Sequence, residues 1–105
     1  MLASLLPAAP LHERVPTRDE EGRLLGDFLM LIPGLRETPV PDLAARLSRI
    51  EAALGRHAEV VFADLNLPLN LLWVSVRPRR GVILEVSATI RVCEPAAVLV
   101  GERRG

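Results

Sequence analysis

The densest cluster of chemically capable side chains in this 105-residue sequence is Arg77-Pro78-Arg79-Arg80-Gly81. Guanidinium groups just ahead of a helix N-terminus can hold a phosphate or a carboxylate, because backbone N–H groups and positive charge converge there. The cluster has neither the glycine spacing nor the Lys of a Walker loop. A solvated basic turn is the simpler account of it. Gly34, in Ile32-Pro33-Gly34-Leu35, can let a ligand approach the backbone closely, and can equally be an ordinary turn glycine.

His12 and His57 are the only histidines, and His57 could serve as an acid or a base. His57 follows the expected end of a helix, where the dipole favours a charged ring. A loop histidine closing that end explains it without catalysis. Cys93 has no second Cys and no His at metal spacing, so it reads as a buried structural thiol rather than a zinc ligand. Glu59, Asp64, Asn66 and Asn70 carry oxygens that suit a hard cation, but their spacing falls short of an EF-hand loop. Turn chemistry accounts for the asparagines. No Ser-His-Asp order and no GxSxG elbow is present. Neither a metal nor a cofactor is expected.

Composition narrows the classes further. The chain has 13 basic and 13 acidic residues, and half of it is hydrophobic. Zero net charge argues against nucleic acid as a partner, which requires a basic surface. There is no Lys and no Tyr, which excludes Schiff-base chemistry and a tyrosine acid. Phe28, Phe62 and Trp73 are the whole aromatic set, too few for base stacking. A single cysteine fits a reducing cytoplasm. The opening MLASLLPAAP is apolar but short and has no positive n-region, so a secretory signal is not expected. No run approaches the ~18 apolar residues of a membrane span.

These side chains must be positioned by a small set of elements. Residues 1–23 read as an irregular arm, broken by prolines at 7, 10 and 16 and ending in a charged turn. Residues 24–101 form one domain, and 102–105 are a tail. Residues 26–32 alternate in apolar pairs and read as a buried strand. Leu43, Leu47, Ile50 and Leu54 make one stripe of a helix. Thr38 or Asp42 serves its N-terminus, and Gly55 ends it as a C′ glycine. Ala58–Leu65 and Leu69–Pro78 form an antiparallel hairpin around Asn66-Leu67-Pro68-Leu69-Asn70. In the first of these strands Val60 and Phe62 share a face. Val82–Val92 fits a strand by period 2 and a helix by period 3.6. Its length favours helix. A short strand over residues 96–101 follows.

With a helix there, the order is β-α-β-β-α-β, which resembles ferredoxin-like folds: an α+β two-layer sandwich with a four-stranded antiparallel sheet and two helices on one face. The other face has no helix to cover it. Leu71 and Trp73, or alternatively Leu72 and Val74, point at that bare face, together with one apolar row of the first strand. A second copy, the N-terminal arm folded back, or a different protein can cover it. The expectation carried forward is a small cytoplasmic, non-catalytic interaction or regulatory domain. It forms a homodimer through this face, with Phe28, Leu71 and Trp73 as interface anchors. One alternative is a sensor that resembles ACT-like regulatory domains, with an anionic metabolite near Gly34 or Arg77, Arg79 and Arg80. A dimeric α+β barrel enzyme, with His57 or a carboxylate as base, is the other.

Overall fold

The computed structural model describes Arg18 and residues 21–103. His12 and the apolar opening of the chain lie outside the described residues.

Alternating apolar residues make β1, Gly26–Leu31, the central strand. Its core-facing row is Gly26, Phe28 and Met30, which pair with Val76, Val74 and Leu72 of β3, Leu71–Val76. β2, Val60–Asn66, runs antiparallel to β3 on one side. β4, Val98–Arg103, runs antiparallel to β1 on the other. The order β2-β3-β1-β4, with helices after β1 and β3, is the ferredoxin-like α+β sandwich.

The first helix, α1, is Val40–Leu54. Ile50 and Leu54 of its stripe are fully buried, and Leu43 and Leu47 pack at the margin. Pro39 is its N-cap residue, with no side-chain cap bond. Neither Thr38 nor Asp42 caps it. Thr38 is diverted, donating instead to the Gly34 carbonyl at 2.6 Å. Gly55 does end α1, but at φ −65 it is right-handed, not the left-handed C′ expected. The helix closes through tighter bonds instead, Arg56 N–H to Ala53 O and His57 N–H to Leu54 O, both 3.2 Å.

The ambiguous segment is helical: α2 spans Val82–Cys93. The apolar row that period 2 placed on one face is divided between two. Val82, Val86 and Ile90 enter the core, while Leu84, Ala88 and Val92 face outward. Packing against the sheet overrides the β preference of its branched residues. Phe28, Met30, Leu72, Val74 and Ile90 have no exposed surface. Each such side chain stabilises the fold by on the order of 1.5–3 kcal/mol through burial.

Two bulges adjust the pleat. On β2 the register shifts between Val60 and Phe62, so Val60 pairs with Val76 toward the helices and Phe62 pairs with Ser75 away from them. The two therefore do not share a face, because the extra residue in a bulge reverses the alternation. On β4, Leu99 pairs with Met30 and Gly101 with Leu29, leaving Val100 between them. β4 also begins later and runs further than expected, through Glu102 and Arg103.

Candidate functional site

The register defines the face opposite the helices. Its rows are Asp27, Ser75, Phe62 and Arg103, then Leu29, Trp73, Asp64 and Gly101, then Leu31, Leu71, Asn66 and Val98. Leu71 and Trp73 are on this face, as expected, and Leu72 and Val74 are in the core. Phe28 is not on it. It is fully buried under the helices, because β1 presents its odd-numbered residues to the bare side. Leu29 and Leu31 occupy the position expected for Phe28.

Exposure varies along the face. At the Gly26 end Ser75, Leu25 and Asp27 are buried, Phe62 is half-buried and the Arg103 side chain is 53 % exposed, while Asp64 in the middle row is buried. At the Leu31 end, Leu31 and Leu71 are half-buried and Val98 is 50 % exposed. Leu69 and Val100 nearby are also exposed. Asp27 accepts a hydrogen bond from the guanidinium of Arg103, its registered partner on β4. That pair was not anticipated. The signal was available: a carboxylate inside an apolar strand run requires a partner when buried. The indole N–H of Trp73 is closed to solvent and meets no acceptor among the described residues.

The arginine turn sits at the Gly26 end of the molecule, after β3. Arg79 donates from Nε to Glu59 at 2.7 Å and from Nη2 to Glu85 at 2.5 Å. These bonds hold the Glu59 and Glu85 carboxyls below the usual glutamate range and push the Arg79 guanidinium up. Arg77 donates to the Ala58 carbonyl at 3.1 Å. Neither Arg77 nor Arg80 has a carboxylate partner among the described residues. Beside Arg80 a cavity of about 580 Å³ is floored by Val76, Val82, Ile83 and Leu84, with Glu102 on its rim.

Gly34 is at the opposite end, past Leu31, so it and the arginine turn do not converge. It is left-handed, φ +82, and a Cβ there would lie 3.7 Å from Arg46. The close approach is made by the protein's own side chain. Arg46 donates to Glu94 from Nη2 and Nε, at 2.5 and 3.0 Å, and to Thr38 Oγ1 at 2.8 Å. The bonds to Glu94 raise the Arg46 pKa against the opposing effect of burial. Arg46 and Glu94 stand 48 positions apart, so no local pattern announced them.

His57 faces α2. Its Nε2 lies 2.8 Å from Thr89 Oγ1, and that hydroxyl donates to the Glu85 carbonyl at 3.0 Å. The single hydroxyl hydrogen is thereby used, so Nε2–H of His57 is the donor to Thr89. The contact ties the end of α1 to α2. Cys93 is half-buried and bonds the Ile90 carbonyl at 3.3 Å, and burial pushes its thiol pKa up, away from nucleophilic range. Asn66 accepts from Leu69 N–H at 3.2 Å, and Asn70, left-handed at φ 55, accepts from Arg36 N–H at 2.8 Å. The Asn66 side chain and the Asn70 backbone build the hairpin turn, and the Asn70 side chain ties it to the loop after β1. Glu59 is at the other end of β2, paired with Arg79. Among the described residues, no group of three or more His, Cys, Asp or Glu side chains is placed to hold a metal, and no helix is long and apolar enough to cross a membrane. Compared with known protein families, curated proteins and solved structures, the chain matches none of them.

Proposed function

We propose that the chain is a small non-catalytic interaction domain of the reducing cytoplasm that self-associates through its helix-free sheet face. The observation that carries this is the apolar end of that face. Leu31, Leu71 and Val98 form a row with no helix over it, next to exposed Leu69 and Val100. Soluble monomers rarely leave large contiguous apolar surface to water. A two-fold axis through the row would pair it with itself, as isologous dimers do. Four strands about 4.8 Å apart give a narrow face, so a dimer in exchange with monomer is expected rather than a permanent one.

Light scattering over a dilution series tests it. The full chain should show twice the monomer mass when concentrated and approach monomer on dilution. Leu71→Arg should remain monomeric throughout, and Trp73→Ala should shift the midpoint to higher concentration. A full chain that is monomeric at every concentration overturns the proposal.

The cavity beside Arg80 favours a second reading, an anionic metabolite with an apolar body. Arg80 would meet the anion and Val82, Ile83 and Leu84 the body. Thermal shift against amino acids, phosphates and medium-chain carboxylates tests it. Stabilisation by an anion, lost in Arg80→Ala, supports it, and no shift with any of them removes it.

A further inference from the structure

We propose that the cavity beside Arg80 takes a zwitterion with an apolar body, the chemistry of an apolar α-amino acid. The inference rests on the ligand reading of that cavity and is independent of self-association. It narrows the ligand from an anion to a molecule that carries one charge of each sign.

The charges around the cavity decide what can enter it. Arg79 is in the wall but has no charge to spare, because Glu59 and Glu85 both accept from it. Arg80 is exposed, and no carboxylate meets it among the described residues. Glu102 is the remaining charged residue of the described lining. It pairs in register with core-facing Phe28, so its side chain stands on the helix side of β4, the side on which the cavity lies. A ligand with negative charge alone gains at Arg80 and loses at Glu102. A ligand with a carboxylate and an ammonium gains at both. Glu102 already has an interaction within the chain. A carboxylate offers about four acceptor positions, so an ammonium can join it.

The backbone adds contacts for the carboxylate. Val82 N–H bonds the Arg79 carbonyl, and Glu85 N–H bonds the Gly81 carbonyl. Between them, the N–H groups of Ile83 and Leu84 meet no backbone acceptor among the described residues, and no side chain caps this end of α2. Both residues line the cavity. The apolar body has its own surface. Val76, Val82 and Ile83 make a closed floor, and Leu84, 64 % exposed, is the wall that a bound apolar group would cover. A volume of about 580 Å³ is within the usual range of small-molecule sites.

Thermal melting and proton–nitrogen NMR spectra of the full chain test this. The probes are leucine, methionine and phenylalanine, each also as its N-acetyl acid, which lacks the cation, and as its amide, which lacks the anion. At least one free amino acid should raise the melting temperature, on the order of 5 °C at ten times its dissociation constant. It should also move the amide signals of Ile83 and Leu84. Its N-acetyl and amide forms should bind about tenfold more weakly. Arg80→Ala should lose the free amino acid. Glu102→Gln should weaken the free amino acid and strengthen the N-acetyl acid, a crossover that lost packing does not produce. Both positions are exposed, and unchanged far-UV circular dichroism checks that the variants fold. An N-acetyl acid that binds the parent chain as well as the free amino acid overturns the zwitterion and leaves the anion reading standing. A melting temperature moved by none of the probes overturns both. Signals that move only elsewhere in the molecule overturn the site.

Discussion

Arg46 and Arg79 each hold more than one partner, and their substitutions should read out differently. Arg46→Met removes the cation from Glu94, whose side chain is only 8 % exposed. A nearly buried carboxylate left alone is strongly unfavourable, so urea denaturation should show a loss of about 2–4 kcal/mol. In the double variant with Glu94→Gln the combined loss should be smaller than the sum of the two single losses. Arg79 is different, because its partners Glu59 and Glu85 are at the surface. Their carboxyls titrate lower in the folded chain than the ordinary 4.5. A depressed folded pKa adds stability above the unfolded value, and that stability fades as the pH falls through the folded one. Arg79→Ala should therefore lower stability modestly at neutral pH, where the contribution is fully present, and flatten the decline below about pH 4.5, so that variant and parent chain converge at low pH. A midpoint measured by thermal melting from pH 7 to pH 3 checks this.

At the scale of elements, α2 offers a test with opposite outcomes on one helix. Ile90→Ala empties a fully buried position and should cost about 2–4 kcal/mol in urea denaturation. Val92→Ala, on the outward row two residues away, should change stability by less than about 0.5 kcal/mol. The same two residues explain why this segment was hard to read. Ile90 and Val92 belong to one row by period 2, and only the sheet beneath tells them apart. By contrast, Leu43, Leu47, Ile50 and Leu54 fit one period alone, and α1 was legible from them. So was the hairpin, whose turn is built by its own asparagines. What local pattern could not carry was a bulge. One inserted residue on β2 put Phe62 opposite to Val60, and no composition signal marks the site. The parity of β1 was equally hidden, since both its rows are apolar. Phe28 could be assigned to the core only once its pairing with Val74 was known. Of the residues expected in sites, Leu71 and Trp73 share the bare face, while Gly34 and the arginine turn are separated by the length of the sheet.

For the whole molecule, the helix-free face is most apolar at its Leu31 end, where Leu31, Leu71 and Val98 share a row. If a second copy takes the apolar end, Leu71→Arg separates association from folding, since Leu71 is outside the helix-side core. Its melting temperature should fall only slightly when measured at a concentration where the parent chain is also monomeric. The order of the strands has a further implication for biosynthesis. β1 is made first and lies between two strands made much later. Its pair Asp27 and Arg103 stand 76 positions apart. Of the four strands, only β2 and β3 are neighbours in both chain and sheet. While the polypeptide is still emerging from the ribosome, that hairpin is the one part of the sheet that can assemble by itself. β1 meanwhile presents unpaired edges and two apolar rows, the condition under which growing chains associate wrongly. Such a chain would depend on holding by chaperones until β4 has cleared the exit tunnel.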